Sequence, residues 1–362
     1  MSRPPISMQK KYLYIFNLET NLDSYALAFT HDWISEFSRY YEKIFVYSFK
    51  VGRTNLPSNV SVYELGSGGL FQRIKNLSLH LIPVLRIILG RTKTQVFYHM
   101  NPRSAMLIGL PLRLFHINQI MWYSHSATSK SLRLATLFVN GIVSTSTHSF
   151  PISTEKLICT GHGIRFPEIT QSVFSKEKAI VVLGRVSRSK RIHELILETA
   201  LFNTNNANEN LAIDIFGTTL TIDDSLYLDE LKEIANSCKV IVRFLGPIPK
   251  DEIYGRLCAY LIAYNGMLGT IDKAAIESTY AGCYLVSDQL ETLRECGFLV
   301  ENEISGDILL SINKQLEFIS QMSEADIIQK SLYARTYIVK KHSLDNTIKK
   351  IVLLLMGQEA KN

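Results

Sequence analysis

Short apolar runs alternate with stretches of helical periodicity along almost the whole chain. The runs show little polar alternation, which is typical of parallel strands that are buried on both faces. Between them, apolar residues recur three and four positions apart, as on one face of a helix. This alternation of strand and helix predicts α/β domains in which helices cover both faces of a parallel sheet.

The alternation forms two series. In the first, the predicted strands are YLYIFNL, IFVYSF, VSVYEL, QVFYHM, QIMWYS, GIVSTS and KLICTGHGI, and the predicted helices cover 23–41, 70–89, 105–115 and 132–140. In the second, the predicted strands are AIVVLG, LAIDIFG, VIVRFLG, AYLIAY and CYLVS, and the predicted helices cover 190–201, 226–237, 250–257, 272–281, 290–296 and segments of 306–356.

The series restarts after a polar stretch, Phe166–Lys178, where we place the domain boundary. We expect an N-terminal domain over 1–165, a C-terminal domain over 166–340, and a final helical segment, 341–362, that packs back on the N-terminal domain. Two doubly wound domains commonly bind a ligand in the cleft between them, at the carboxyl ends of the strands.

Composition narrows the class of protein without naming a ligand. The chain has 362 residues, of which 46% are hydrophobic and 20% charged, so it is a folded protein and not a disordered one. The net charge of +6 permits an anionic partner and selects none. The five cysteines show no metal spacing, so we expect buried free thiols. The first apolar run is too short for a signal peptide, and no run could span a membrane, so we expect a cytoplasmic protein.

A cluster of cations stands where a predicted strand passes into a predicted helix, in the stretch VVLGRVSRSKRIHELI. The strand ends at Gly184 and the helix is expected to begin near Ser189; the cations are Arg185, Arg188, Lys190 and Arg191. A helix N-terminus attracts anions, and a first turn normally carries acidic residues. A bound diphosphate would account for the cations, and so would a solvated basic turn. We expect Arg185 and Lys190 to reach the ligand and to matter little for folding.

The second cluster lies in YNGMLGTIDKAAIESTYAGCYLVSD, where Asp272 and Lys273 open a predicted helix. Glu277 follows one turn later among small and apolar residues. A buried carboxylate needs hydrogen-bond partners, and the hydroxyls of a ribose could supply them on binding. The alternative is a surface ion pair between Glu277 and Lys273 at i, i+4.

Three other features allow a structural and a functional interpretation. Asp223 and Asp224 stand before a predicted helix, which favours a helix cap over a metal site. His99 ends a strand, where it could line a cleft or lie buried and hydrogen-bonded. The segment Leu70–Lys93 is apolar with cations near both ends, so it could lie on an anionic membrane or cover the sheet as a core helix.

The second cluster and the basic motif together resemble the C-terminal half of retaining glycosyltransferases of family 4. The resemblance is carried by GRVSRSK, by VRFLGPIPKDEIYGRLCAY and by AIESTYAGCYLVSD. In the first half, FYHMNPRSAMLIGLPLRLF, WYSHSATSKSLRLA, IVSTSTHSF and ICTGHGI resemble a bacterial subgroup that builds surface polysaccharides such as O-antigen and capsule. The similarity covers about 95 to 300 of the chain.

This resemblance implies the GT-B architecture, two doubly wound Rossmann-like domains that face each other across a cleft. It also implies transfer of a sugar, with retention, from a nucleotide-diphosphate donor to a glycan, on a lipid carrier at the inner face of the plasma membrane. No metal, cofactor or nucleic acid is expected, because cations take the place of a metal at the diphosphate. The alternatives are a non-catalytic two-lobed sugar or nucleotide-binding protein and a nucleotide-sugar epimerase.

The resemblance also assigns roles to individual residues. His125, Arg185 and Lys190 would be catalytic, His125 by facing the donor sugar. The donor would be held by Gly184, Arg185, Lys190, Gly217, Asp272, Lys273 and Glu277. Glu277 matches the second glutamate of an E-x7-E pattern, whereas Gly269 stands in place of the first. His162 replaces a usual asparagine, and with His99 it is a candidate for the acceptor side.

Overall fold

The computed structural model describes residues 12–24, 27–66, 81–169, 177–206, 210–298 and 311–358. Contacts divide the chain into two compact units, Met1–Arg165 with Lys341–Asn362, and Phe166–Lys340. Each unit holds one parallel sheet. The predicted class, two parallel α/β domains, is confirmed.

The strands follow the buried apolar runs closely. In the first unit they are β1 Tyr12–Thr20, β2 Lys43–Val51, β3 Val60–Glu64, β4 Thr94–His99, β5 Gln119–Trp122, β6 Gly141–Ser144 and β7 Leu157–Cys159. In the second unit they are β8 Glu177–Leu183, β9 Ala212–Phe216, β10 Val242–Phe244, β11 Tyr260–Tyr264 and β12 Tyr284–Val286. The sheet orders are β3-β2-β1-β4-β5-β6-β7 and β10-β9-β8-β11-β12.

Helices connect the strands and extend to the end of the described chain. They are α1 Phe29–Phe37, α2 at 81–89, α3 Pro102–Leu114, α4 Lys130–Phe138, α5 Ile192–Asn205, α6 Ile222–Cys238, α7 Ile253–Leu257, α8 Lys273–Tyr280, α9 Leu290–Glu295, α10 Ile312–Ser320, α11 Glu324–His342 and α12 Leu344–Leu355. Of the predicted helix 70–89 and the predicted linker Phe166–Lys178, residues 70–80 and 170–176 lie outside the described residues.

The first sheet is covered on both faces. Helices α2, α3 and α4 pack on one face of the sheet, where residues such as Ile87, Ile108 and Leu132 enter the core. On the other face, Trp33 and Phe37 of α1 share a core with α12. The last turn of α12 is tied to the sheet, because the side-chain amide of Asn118 donates to the Leu355 carbonyl at 2.7 Å. The final helix therefore belongs to the core of the first unit.

The helix predicted from Lys190 begins later than the sequence pattern indicated. Arg188–Lys190 forms a short 3-10 turn, and Arg191 adopts a left-handed conformation with φ of 52°. Regular α-helix starts only at Ile192, where the apolar face of α5 enters the core. The basic motif is therefore a tight loop in front of the helix and not its first turn.

Candidate functional site

Two glycines bring the carboxyl ends of β8 and β9 unusually close together. The Gly184 amide donates to the Phe216 carbonyl at 2.8 Å. A Cβ on Gly217 would stand 1.8 Å from the Gly184 carbonyl oxygen, so the backbone approach leaves no room for a side chain. Gly184 itself has φ of 112°, which L side chains rarely adopt. The two glycines thus shape the loop that carries Arg185.

Lys190 points back over this loop and meets an acid from the second motif. A Cβ on Gly184 would lie 3.0 Å from the Lys190 Nζ. The Lys190 ammonium pairs with the Asp272 carboxylate, and the two side chains are only 10% and 17% exposed. Asp272 is also the N-cap of α8, where its side chain accepts a hydrogen bond from the Ala274 amide. The two motifs that the sequence singled out are therefore in direct contact.

Asp272 is held ionised by these neighbours. Burial opposes its ionisation, but the Lys190 charge and the hydrogen bonds from Lys190, Asn265 and Ala274 outweigh burial and lower the pKa of the carboxyl. The Asn265 amide contributes at 2.8 Å. An ionised Asp272 compensates the Lys190 charge, so Lys190 is paired within the protein. Its contact with a ligand and its small effect on folding stay predictions.

The loop after β11 contains two residues that the sequence interpretation missed. Asn265 bonds to Asp272, and a Cβ on Gly266 would lie 2.9 Å from the Lys190 carbonyl oxygen. The Leu268 amide donates to the Ser189 carbonyl at 3.3 Å, which joins the loop to the basic motif. The signal was the Asn-Gly dipeptide after a buried strand, which marks a tight turn.

Gly269, which stands where the resembled family has a glutamate, lies in the same loop. Its φ is 73°, in the left-handed region. Non-glycine residues enter that region at a cost. The local backbone therefore gives a conformational reason for glycine at this position.

The four cations of the basic motif all have acidic neighbours. The Arg191 Nε lies 2.8 Å from Asp288, the Arg188 guanidinium pairs with Glu230, and Lys190 pairs with Asp272. Arg185 is the loosest of the four, because its Nε is 3.9 Å from Asp224 and 42% of its side chain is exposed. Arg185 is consequently the cation of this motif that is most available to an anion.

Asp224 acts as a helix cap, as the sequence predicted. Thr221 and Asp224 form a capping box at the start of α6, in which each side chain bonds to the backbone of the other. Burial opposes ionisation of Asp224, yet hydrogen bonds from the Leu220 and Thr221 amides and the charge of Arg185 lower its pKa. Among the described residues, no group of three or more His, Cys, Asp or Glu side chains is arranged to hold a metal.

Glu277 combines features of both interpretations of the sequence. Its Oε1 lies 2.8 Å from the Lys273 Nζ, so the i, i+4 pair exists. The carboxylate is nevertheless buried, with 8% of its side chain exposed, so the pair is not a surface pair. Lys273 already supplies one partner, and the ribose hydroxyls as further partners stay a prediction.

The histidines of the first unit occupy different environments. His99, at the end of β4, stacks on Trp122 with ring centroids 4.8 Å apart, and its Nε2 has no hydrogen-bond partner in the part of the chain that the structure describes. Burial, with a smaller contribution from His162, lowers the pKa of His99 to about 3. His99 is therefore an uncharged side chain at neutral pH.

His125 and His162 are more accessible than His99. His125 is exposed after β5, and its Nδ1 accepts a hydrogen bond from the Ala127 amide at 2.9 Å. In the neutral ring this assigns the proton to Nε2, which is then a donor. His162 is half-buried, and its amide donates to the Nδ1 of His342 at 3.2 Å. Both lie in the first unit, whereas the two motif loops lie in the second.

The five cysteines, all among the described residues, are thiols that form no disulfide, and they are not uniformly buried. Cys258, Cys283 and Cys296 are buried, whereas Cys159 and Cys238 are half-buried. In the described part of the chain, no helix has the length and apolar character needed to cross a membrane.

Comparison with known proteins gives structural matches only. No family model and no curated protein matches the chain. Among solved structures, HepE of Anabaena in complex with UDP and glucose is 12% identical with a TM-score of 0.67, covering 96% of this chain and 99% of that one. A glycosyltransferase from Rickettsia africae is also 12% identical with a TM-score of 0.67, covering 96% of this chain and 98% of that one.

A third likeness is to an α,α-trehalose-phosphate synthase (UDP-forming) from Burkholderia vietnamiensis. It is 9% identical with a TM-score of 0.65, and the match covers 96% of this chain and 100% of that one. Identities this low establish architecture and not activity. The two parallel sheets and these likenesses show that the chain has the GT-B fold of two Rossmann-like domains.

Proposed function

We propose that this protein is a glycosyltransferase that moves a sugar from a nucleotide-diphosphate donor to a glycan acceptor. The observation that carries the proposal is the contact between the two motif loops at the carboxyl ends of β8 and β11, with Arg185 exposed beside it. Ligands of doubly wound sheets bind at such strand ends. Because HepE was solved with UDP and glucose, a uridine diphosphate sugar is the first donor to test.

The chemistry assigned to this loop is stabilisation of the leaving group. The nucleotide diphosphate gains negative charge as the glycosidic bond breaks, and preorganised cations lower the energy of that transition state. Arg185 would supply an accessible guanidinium. Lys190, held in place by Asp272, which also accepts a hydrogen bond from Asn265, would supply a second cation that is already positioned. Gly184 and Gly217 would allow the diphosphate to approach the backbone.

The remaining roles rest on the motif resemblance. Glu277, oriented by Lys273, is proposed to accept hydrogen bonds from the ribose hydroxyls. His125 would face the donor sugar with Nε2–H as a donor. His99, as an uncharged group, and His162 are proposed for the acceptor side. Retention at the anomeric carbon, a lipid-linked acceptor and a role in surface polysaccharide synthesis are proposals on the same basis, as is contact of Leu70–Lys93 with an anionic membrane.

Calorimetric titration with UDP, GDP and ADP tests the donor site. We expect Arg185→Gln and Lys190→Gln each to weaken binding of the preferred nucleotide at least about tenfold, which corresponds to 1.4 kcal/mol. Arg188→Gln is the matched control, because Arg188 lies in the same loop but pairs with Glu230 at the surface. Equal affinities for wild type, Arg185→Gln and Lys190→Gln would remove the basis of the diphosphate assignment.

Incubation of the protein with a labelled uridine diphosphate sugar and a lipid-linked glycan extract tests the reaction. Transfer of label to the glycan supports the proposal. Isomerisation of the sugar would show an epimerase instead, and binding without reaction would show a non-catalytic sugar-binding protein.

A further inference from the structure

Helices α2, α3 and α4 expose large apolar side chains to solvent in addition to those that they bury against the sheet. Leu107, Leu110 and Leu114 share the outer face of α3, at spacings of three and four residues, while Ile108 and Leu112 are buried on the inner face. Most helices at a protein surface are polar on their outer face. The exposed apolar side chains, which we call the leucine surface, are Leu81, Ile82, Leu85, Leu89, Leu107, Leu110, Leu114, Phe115, Leu134 and Leu137.

The leucine surface lies on one side of the first unit. Val84 of α2, Ile108 of α3 and Leu132 of α4 enter the same core, so the three helices cover the same face of the sheet. Helices α3 and α4 are in direct contact. Isolated apolar residues are normal on protein surfaces, whereas a group on adjacent helices marks an interaction site.

The chain segment that carries the leucine surface has charges of one sign. From Leu65 to Thr154 the sequence carries nine Lys and Arg residues and no Asp or Glu. The rest of the chain has 30 Lys and Arg against 33 Asp and Glu, so this segment accounts for the net positive charge. Its exposed cations in the described residues are Arg86, Arg91, Lys93, Arg103, Arg113, Lys130 and Arg133.

We propose that the leucine surface docks on a membrane that contains anionic lipids. Leucine side chains would enter the boundary of the acyl chains while the surrounding arginines and lysines contact the phosphate headgroups. A second copy of this chain fits less well, because a symmetric contact would bring two surfaces rich in arginine and lysine together. A nucleic acid would contact the cations but would not bury the exposed leucine side chains. The surface extends beyond Leu70–Lys93 onto α3 and α4, and it does not depend on the proposed sugar transfer.

Co-sedimentation with vesicles tests the proposal. We expect the protein to bind vesicles of phosphatidylglycerol and phosphatidylcholine at least tenfold more tightly than vesicles of phosphatidylcholine alone. The variant Leu85→Gln/Leu110→Gln/Leu137→Gln should bind the anionic vesicles at least tenfold more weakly than wild type. Its matched control, Leu197→Gln/Leu201→Gln/Leu226→Gln, removes three comparably exposed leucines from α5 and α6, whose sequences carry acidic residues, and should bind like wild type.

A charge variant keeps the test decisive even where the leucine variant folds poorly. Arg103→Gln/Arg133→Gln retains every leucine and should lower affinity for the anionic vesicles severalfold. Failure of wild type to bind anionic vesicles would overturn the proposal. So would a wild-type dimer, seen by sedimentation velocity without lipid, that the leucine variant converts to monomer, since a second copy would then cover the surface.

Discussion

The Lys190 ammonium and the Asp272 carboxylate form an ion pair between residues 82 positions apart, and both side chains are largely buried. The pair joins the loop after β8 to the N-terminus of α8. Its members are therefore not simply a cation and an acid that wait for a ligand. Each also stabilises the conformation in which the other is held.

The first prediction concerns the stability contributed by this pair. Lys190→Met leaves the Asp272 carboxylate buried without its cation, and breaking such a pair costs about 3 to 5 kcal/mol. We expect that loss in the free energy of unfolding, measured by urea titration. The double variant Lys190→Met/Asp272→Asn should recover most of it, because no buried charge is left unpaired. A Lys190→Met protein as stable as wild type would contradict the pairing.

The second prediction separates the two roles of Glu277. Glu277→Gln keeps the shape but loses the charge, and charge-assisted hydrogen bonds are about twice as strong as neutral ones. We expect UDP affinity to fall about tenfold in calorimetry. The loss of stability should stay within about 1 kcal/mol, because the Lys273 partner is partly exposed.

Glu295→Gln is the control for that measurement. Glu295 is also buried in the second unit but lies on α9. Its replacement should leave the affinity for UDP unchanged. If Glu277→Gln and Glu295→Gln bind UDP equally well, Glu277 has only a structural role.

The third prediction follows from the buried, uncharged His99. Its pKa is about 3 in the folded protein and about 6.5 in the unfolded chain, so below pH 6.5 the unfolded chain binds more protons. The free energy of unfolding should therefore decrease as the pH is lowered. His99 accounts for about 2 kcal/mol of that decrease between pH 7 and pH 5. Urea titrations at both pH values should show a weaker pH dependence in His99→Phe than in wild type. The exposed His148→Gln should keep the wild-type dependence.

The fourth prediction concerns metal. Turnover of a nucleotide sugar should survive EDTA, because Arg185 and Lys190 are proposed to balance the diphosphate charge. Asp224, the nearest acid to Arg185, is already engaged in the capping box of α6. Activity that disappears on chelation and returns with manganese or magnesium would show that this assignment of charge is wrong.

The fold could be predicted from sequence because its strands are uninterrupted apolar runs, such as AIVVLG and AYLIAY, separated by helical patterns. The Asp224 cap was predictable as well, since a capping box is a local motif. The left-handed conformation of Arg191 was not, because most arginines are not found there. The Lys190–Asp272 pair was missed because pattern reasoning gives the type of each residue but not the tertiary contact between them.

Exposure was likewise beyond the sequence pattern. Leu110 and Leu112 look alike in a helical stretch, yet one is exposed and the other fully buried. Only the direction in which α3 lies on its sheet decides between them. The segment from Leu65 to Thr154, which has no Asp or Glu, can in contrast be read directly from the sequence. It indicates a binding surface only once the structure shows that exposed leucines lie in the same segment.

The packing of α12 on α1 has a consequence for the order of events during synthesis. Ile348 and Val352, which are synthesised after the whole second unit, share a core with Trp33 and Phe37, which are synthesised before it. The second unit, by contrast, is continuous in sequence. During translation the later-made domain can reach its native state while the earlier-made one still has an open apolar face, and a chaperone that binds nascent chains would find its target there.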